Sequence, residues 1–463
     1  MDYLFSIFKR SDGSLHIEAF ITIKKSEYDS LLALVLSLQE EIRLLKNGKN
    51  STSSHTSPSH DLQRSNSRSL RPTGENKTGG QPGHKGKTLL MSAAPDKVID
   101  YDEINFCKIC SANLKNEPGT IFERRQEVEI PPIAAQYIEH RSYQKKCTCC
   151  GLMNYSDLPS RLNSSIQYGP GIVSMAAYFH GYQFVPMKRM VDMFNDVFNL
   201  PISEGTIDNM LTKFADRTTP VYEQIQQRVA QSKVIGADET GSKVAGKKGW
   251  FHTWQTTALT FIVASMNRGY ETVTHYFQDG FMQATLVSDC WAAQLKTKAN
   301  RHQLCIVHLL RELVNFIDAF KNDQWSGELK LLFEQSIEIK KQSKINGLLL
   351  YHKEIERIKE TFTQLLLVNE TGKHKKLMAF IKRLRKNSGS IFVFLEDDKV
   401  PFDNNASERA IRMVKIKTKV SGCFRTFEGA VRFAKIRSVI DTTIKNHQNA
   451  FEALTLLANF KAE

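Results

Sequence analysis

The spacing of apolar residues predicts a long amphipathic helix near the start of the chain. In residues 27–46 the apolar positions recur alternately four and three apart, as in the seam of a coiled coil. These positions are Leu31, Val35, Leu38, Ile42 and Leu45. The pattern spans three heptads and leaves two interpretations open. The helix either pairs two copies of the chain or packs on its own chain.

Short apolar runs in the middle of the chain predict a sheet. Residues 234–237, 250–256 and 259–265 predict three consecutive antiparallel strands, because each run is apolar or alternating and turn residues separate them. A helix near residues 270–277 and a further apolar strand over residues 284–289 follow. This order begins a ribonuclease H-like fold, in which the first and fourth strands are neighbours. The fold class is therefore multidomain α/β.

Helical patterns lie on both sides of this sheet. Residues 168–216 predict helices, and the turn at residues 202–206 fits a helix-turn-helix, with a helical packing layer as an equal alternative. Residues 321–395 predict a helical insertion whose many Lys and Arg either track DNA or lie on ordinary solvated faces. Residues 439–446 predict a closing helix.

Residues 47–88 are polar and Ser-rich, which predicts a linker without fixed structure. The linker ends in a glycine-rich basic run that contains His84, Lys85 and Lys87. Glycines and a proline beside these cations suit an arm that lies along a phosphate backbone or in a minor groove. Composition alone favours the alternative, a flexible linker.

Size and charge narrow the class of protein. The 463 residues exceed what a single core usually holds, so several domains are expected. A net charge of +14 indicates a polyanionic partner such as double-stranded DNA, although charge alone also allows a basic protein without one. No secretory signal and no apolar stretch of about 20 residues is apparent, so we expect a cytoplasmic protein with no membrane partner.

Five of the eight cysteines cluster in one segment and form two C-x-x-C pairs with one spare, Cys149. The pairs are Cys107 with Cys110 and Cys147 with Cys150. Four such thiolates can surround one structural Zn²⁺, and Gly151 suits the turn that closes the second pair. Strands predicted over residues 127–130 and 135–140 would complete a zinc-ribbon-like module. Two pairs of reduced structural thiols are the alternative.

Three carboxylates are the candidate catalytic residues. Asp238 and Asp289 each end a predicted strand, and neighbouring strands would place them side by side. Their mutual repulsion favours a divalent cation, and oxygen ligands favour Mg²⁺ or Mn²⁺. Glu408 is the expected third ligand, in the first turns of a helix capped by Asp403 or Asn404. Two ions about 3.5–4 Å apart in such a site support phosphoryl transfer without a protein general base.

Other residues near these acids have supporting roles. Residues 401–447 hold ten Lys and Arg against four Asp and Glu, an excess that would attract a phosphodiester. The DNA-facing members expected after Glu408 are Arg409, Arg412 and Lys415. Glu239 would point to the opposite face of its strand from Asp238 and support the fold. Cys305 and His308 share one helical face as a buried structural pair, from which His308 can reach the active site.

These motifs resemble those of bacterial DDE transposases of the insertion sequence sixty-six family. The resemblance runs along nearly the whole chain and is most specific at residues 79–86, Gly-Gly-Gln-Pro-Gly-His-Lys-Gly, and at residues 403–409, Asp-Asn-Asn-Ala-Ser-Glu-Arg. It also includes Trp250 and residues 268–269, Arg-Gly, whereas residues 288–291, Ser-Asp-Cys-Trp, replace the family's usual Asp-Gly-Tyr.

The resemblance implies a function and a set of partners. The family's catalytic triad falls on Asp238, Asp289 and Glu408. Binding of terminal inverted repeats, strand cleavage and strand transfer are implied, with action on the bacterial nucleoid. The chain would act on element ends and target DNA as a homodimer or higher oligomer, with accessory proteins of the same element.

Seven regions follow from these patterns. They are an N-terminal region with a zipper-like helix in 1–48, a basic Gly/Ser-rich linker or arm in 49–96, a zinc-binding finger in 97–160, a helical region with a possible helix-turn-helix in 161–232, a ribonuclease H-like catalytic core in 233–320 and 396–447, a helical insertion in 321–395 and a C-terminal helix in 448–463. An inactive or domesticated DNA-binding relative is the competing interpretation, and the intact triad argues against it. A nuclease without joining activity is another, and the finger, arm and zipper-like helix argue against it.

Overall fold

The computed structural model describes residues 3–5, 21–23, 25–46, 89–101, 104–131, 133–162, 164–320, 323–369 and 374–460. Its strands are β1 (Tyr3–Phe5), β2 (Ile21–Ile23), β3 (Gln144–Lys146), β4 (Met153–Tyr155), β5 (Val234–Val244), β6 (Lys247–Gln255), β7 (Thr260–Ser265), β8 (Phe281–Ser288) and β9 (Ala299–Leu304). Its helices are α1 (Lys25–Lys46), α2 (Pro170–Gly181), α3 (Met187–Phe198), α4 (Glu204–Ala230), α5 (Tyr270–Tyr276), α6 (Ala292–Lys296), α7 (Ile306–Ala319), α8 (Gln324–Asn346), α9 (His352–Leu366), α10 (Lys375–Lys386), α11 (Asn405–Ser421), α12 (Phe427–Lys445) and α13 (Ala450–Asn459).

The central element is a mixed sheet with the strand order β7-β6-β5-β8-β9. β5, β6 and β7 are antiparallel, whereas β8 and β9 run parallel to β5. The predicted contact between the first and fourth strands of the sheet is present, because Gly236 on β5 pairs with Val287 on β8. The chain therefore has a mixed α/β fold.

β5 is longer than the apolar run predicted, so Asp238 does not lie at a strand tip. It lies inside an eleven-residue strand, just beyond the point where the pairing of β5 with β8 ends. β5 continues as one arm of a hairpin with β6. Ala245 and Gly246 join the arms with φ angles of 49° and 77°, and two positive φ angles match the twist of a two-residue hairpin.

The helices before the sheet form a packing layer. Ser203 caps α4, since its hydroxyl accepts a hydrogen bond from the amide of Thr206 at 3.1 Å. The apolar faces of α2, α3 and the first half of α4 share one core with α12 and α13. The second half of α4 packs on the sheet through Tyr222, Ile225 and Val229. This arrangement matches the alternative prediction, in which these helices form a layer that packs on the sheet. Contact of a helix-turn-helix with DNA stays a prediction.

Helices are present where the helical insertion was predicted. α8, α9 and α10 surround an aromatic core that includes Phe333, Phe362, Phe380 and Phe394. This core reaches α7 and the inner ends of β8 and β9. The insertion therefore packs beside the part of the sheet that carries Asp289.

The prediction of two strands between the two cysteine pairs is wrong. Residues 127–130 and 135–140 have no strand partner, and Val128 and Ile130 are each 74% exposed. An alternating pattern needs a partner strand to form a ladder, and none lies beside these residues; only Ala135 packs on a core, that of α2, α3 and α4. The observed ladder is instead the short hairpin of β3 and β4, which brackets the second cysteine pair.

The predicted N-terminal helix is confirmed as α1, whereas the basic arm with His84, Lys85 and Lys87 lies outside the described residues. Within the described ranges, none of the helices combines the length and apolar character that a membrane span requires.

Candidate active site

Three elements bring the predicted carboxylates together. Asp238 and Asp289 each lie two residues beyond the paired positions Gly236 and Val287, so they start from neighbouring strands that are about 5 Å apart. Glu408 lies in the first turn of α11, which packs against β5. Asp289 is 9% exposed and the Glu408 side chain is 21% exposed, so the site is recessed rather than fully solvated.

The electrostatics of the site show how closely these acids are placed. Burial raises the pKa of Asp238 well above its ordinary value, and the charges of Glu239, Asp289 and Glu408 raise that pKa further. The amide of Glu239 opposes the rise by donating to Asp238 Oδ1 at 2.8 Å. Burial and the charge of Asp289 also raise the pKa of Glu239, to about 7. Crowded carboxylates of this kind are stabilised by a cation or by a proton.

The start of α11 is fixed to β5 by a network around Asn404. Its Nδ2 donates to the carbonyl of Ala237 at 2.7 Å, and its Oδ1 accepts from Ser407 Oγ at 2.6 Å. Asn404 occupies the predicted cap position, but its side chain bonds to the sheet and to Ser407 rather than to a helix amide. Gly236 leaves room for this network, because a Cβ atom there would lie 2.5 Å from Ser407 Oγ. Glu408 is thereby held beside Asp238.

α7 faces Glu408 from the other side. Cys305 is buried, and its sulfur accepts the amide N–H of Asn404 at 3.2 Å, which agrees with its predicted structural role. His308 Nε2 and Arg311 Nη1 each lie 3.5 Å from Glu408 Oε1. His308 therefore reaches the site as predicted. Sequence reasoning missed Arg311, although its spacing of three from His308 places it on the same helical face.

Glu239 lies on the opposite face of β5 from Asp238, as predicted. Its carboxylate forms an ion pair with Arg268 at 2.9 Å, and its side chain is only 2% exposed. Arg268 belongs to the loop between β7 and α5, and the sequence marked it only as part of the family's Arg-Gly motif, without a role beside the acids. Glu239 therefore supports the neighbouring loop rather than standing as an equal partner of Asp238.

The predicted DNA-facing cations lie along one exposed side of α11. We call this set, with one additional lysine, the α11 stripe: Arg409, Arg412, Lys415 and Lys419. The β5–β6 hairpin continues the positive surface with three exposed lysines: Lys243, Lys247 and Lys248. Ser242 Oγ lies 3.1 Å from Thr418 Oγ1, and the amide of Ala245 donates to the carbonyl of Phe424 at 2.9 Å. The hairpin and α11 are thus held side by side.

The two cysteine pairs adopt the same turn. Cys107 and Cys147 each accept, through the carbonyl, an amide N–H from the residue four positions later, and their own amides bond five positions ahead. The turns close at Ser111 and Gly151, with φ angles of 59° and 74°. Backbone hydrogen bonds within each turn lower the pKa of the Cys107 and Cys147 thiols. Each turn therefore favours a thiolate, and Gly151 closes the second turn as predicted.

The carboxylate donors fit Mg²⁺ or Mn²⁺, although no three His, Cys, Asp or Glu side chains of the described residues, the two cysteine pairs included, enclose one point. Mg²⁺ usually takes one or two carboxylates and keeps several waters, so a full cage is not required. Among the described residues, Glu408 Oε1 and Glu239 Oε2 are buried and accept no hydrogen bond. Glu408 thus presents, beside Asp238 and Asp289, a carboxylate oxygen of the kind that a divalent cation binds, with His308 and Arg311 3.5 Å away.

Comparison with known proteins identifies a family. A family model described as "Transposase IS66 family" matches residues 165–432. This span covers more than half of the chain and includes Asp238, Asp289 and Glu408. A search of curated proteins finds no match.

Proposed function

The chain belongs to the Transposase IS66 family, and we propose that it binds the terminal inverted repeats of its own insertion sequence, cleaves DNA strands there and joins them to a target. The observation that carries the proposal is the placement of Asp238 and Asp289 just beyond paired positions of adjacent strands, where the charges of Asp289 and of Glu408 on α11 both act on Asp238. The strand order, with the first and fourth strands adjacent, supports a ribonuclease H-like catalytic core.

The three carboxylates would hold two Mg²⁺ or Mn²⁺ ions. When bound, such ions supply activation of water or a 3′ hydroxyl and neutralise charge on the leaving oxygen. The protein's own contribution is orientation. The amides of Glu239 and Trp291 donate to Asp238 and Asp289 at 2.8 and 3.0 Å, and α7 presents His308 and Arg311 to Glu408.

The α11 stripe would bind the phosphate backbone of the DNA as it enters the site. Replacing Arg412 or Lys415 by alanine is expected to weaken binding of duplex DNA whatever its sequence. The association constant falls as the salt concentration rises. In each variant the plot of log K against log salt concentration should be less steep by about 0.9, the value for one lost phosphate contact. Titrations of a labelled duplex at several salt concentrations measure this slope. Lys353→Ala, an exposed lysine on α9, is the matched control. Unchanged slopes for both stripe variants would exclude the stripe as a phosphate contact.

The two cysteine turns would bind one structural Zn²⁺ through Cys107, Cys110, Cys147 and Cys150. Their identical backbone geometry and lowered thiol pKa values support this assignment. We expect about one zinc ion per purified chain, because two such pairs provide four thiolates. Cys147→Ser should lose the zinc, whereas Cys149→Ser should retain it, since Cys149 is the spare thiol. Elemental analysis of the three proteins measures this, and wild-type protein free of zinc would refute the site.

α1 would pair two copies of the chain on DNA, with accessory proteins of the element as further partners. The seam residues Leu31, Val35 and Leu38 are exposed rather than packed against the described part of the same chain. Joining two element ends requires two recognition units, which a dimer provides.

A further inference from the structure

The loop that follows β7 carries an arginine held by contacts to three other segments. Arg268 Nη2 and Nε lie 2.9 and 3.3 Å from Glu239 Oε1 on β5. Its guanidinium group lies over the indole ring of Trp291, 3.6 Å from the ring centroid, and 4.6 Å from that of Trp250 on β6. A guanidinium group suits this position, since it can donate in its plane and stack through its faces at the same time.

Two of the side chains that Arg268 contacts belong to residues that orient the strand-borne carboxylates. The amide N–H of Glu239 donates to Asp238 Oδ1 at 2.8 Å. The amide N–H of Trp291 donates to Asp289 Oδ1 at 3.0 Å. The two donors lie on different elements, one within β5 and one in the turn after β8. Arg268 is therefore a single group that contacts both donor residues.

The loop around Arg268 is itself fixed. The carbonyl of Asn267 lies 3.1 Å from His252 Nε2 and accepts a hydrogen bond from Thr272 Oγ1 at 2.8 Å. Asn267 Oδ1 accepts the amide N–H of Gly269 at 2.6 Å. A residue that holds functional groups within about 0.5 Å of their working positions needs rigid support of this kind.

Charge provides an independent reason for a cation at this place. Glu239 is almost fully buried, and its charge acts on Asp238. A buried carboxylate beside two others requires compensation, and Arg268 supplies it through the ion pair at 2.9 Å. Without Arg268, the buried Glu239 carboxylate would lose its ion-pair partner.

We propose that Arg268 is a positioning residue that sets the relative orientation of Asp238 and Asp289 through Glu239 and Trp291. The inference rests on the proposed function, because it assigns Arg268 to the metal site of that function. Arg268 does not touch the substrate or the metal in this account. It acts only through the two donor residues.

Metal affinity and DNA joining, measured side by side, test this role. Electron paramagnetic resonance titration measures Mn²⁺ binding to the wild type and to three variants: Arg268→Gln, Arg268→Lys and Lys296→Gln. The unfolding temperature of each protein is recorded as well. Removal of groups that orient metal ligands typically weakens metal binding 10- to 100-fold. We expect a loss of about 10-fold or more for Arg268→Gln. Arg268→Lys should show most of the same loss, since lysine lacks the planar fork and the stacking face. Lys296, which lies over Tyr270 without contacting either donor, is the matched control and should bind as wild type does.

The outcomes separate this inference from the proposed function. Wild-type Mn²⁺ affinity in Arg268→Gln would overturn the positioning role, whether or not the protein joins DNA. Full recovery in Arg268→Lys would overturn it as well, because charge alone would then be sufficient. If the wild type binds Mn²⁺ but does not join element ends, the proposed function is refuted. The Mn²⁺ affinities of the Arg268 variants would still decide whether Arg268 positions the carboxylates. A wild type that binds no Mn²⁺ would overturn both.

Discussion

Replacing Asp238 by asparagine is expected to abolish strand cleavage and joining, with a rate loss of at least about 10³-fold. Asparagine keeps the shape of the side chain and an oxygen that can accept the Glu239 amide, but it removes the negative charge that attracts a divalent cation. Asp289→Asn and Glu408→Gln should behave alike, and double variants should be little worse than single ones, since the three residues act as a unit. Duplexes that carry the DNA flanking the protein's own coding sequence, incubated with Mg²⁺ and resolved on a denaturing gel, measure the effect.

End binding is the control for this experiment. Binding of the same duplexes should be within a few-fold of wild type, since the α11 stripe is untouched. Asp279→Asn, an exposed acid in the turn before β8, should cleave and join normally. Joining by Asp238→Asn within tenfold of the wild-type rate would show that the carboxylate assignment is wrong.

Gly236→Ala is expected to lower both stability and activity. The new Cβ atom would lie 2.5 Å from Gln255 Nε2 and Ser407 Oγ and 3.0 Å from Asn404 Oδ1. These atoms belong to the network that fixes α11 on β5, so they cannot move without loosening Glu408. Overpacking of this kind typically costs about 1–3 kcal/mol. We expect a lower midpoint in urea unfolding and a joining rate reduced about tenfold or more, because Glu408 is displaced from Asp238.

A matched control lies on the same strand. Gly241→Ala places a Cβ atom no closer than 3.6 Å to any neighbour, in ordinary contact with Trp250. It should therefore unfold and join DNA as wild type does. Equal midpoints for Gly236→Ala and Gly241→Ala would contradict the claim that the glycine provides the room for α11.

The same joining assay separates the competing functions. An inactive DNA-binding relative would bind element ends and leave them uncut at any Mg²⁺ concentration. A nuclease without joining activity would cut the ends and produce no joined product. The proposed transposase produces both cleaved ends and joined product.

The three candidate acids could be singled out in the sequence because each is marked by a local pattern. Apolar runs lead to Asp238 and Asp289, and a run of polar capping residues precedes Glu408. β9 was not predicted, since its residues include Asn300, Arg301 and His302, which are poor markers of a buried strand. Gln303 in the same strand is buried only because it bonds to the carbonyl of Ile391 and the amide of Phe394. No local pattern shows such long-range partners.

The supporting residues of the site were missed for the same reason. Arg268 stood out in the sequence only as part of the family's Arg-Gly motif, and Arg311 did not stand out; the contacts of both depend on which elements fold next to them. Trp291 departs from the family pattern, and its stacking on Arg268 requires the loop after β7 to lie beside the turn after β8. The strands expected between the cysteine pairs show the converse failure, since an alternating pattern without a partner strand does not form a ladder.

The most direct test of a metal-dependent carboxylate site is the joining rate of Asp238→Cys in Mg²⁺ and in Mn²⁺. A thiolate is a poor ligand for Mg²⁺ and a better one for softer ions. The account predicts no detectable joining by Asp238→Cys in Mg²⁺ and a measurable recovery in Mn²⁺, with the wild type active in both. Joining by Asp238→Cys in Mg²⁺ at the wild-type rate would contradict it.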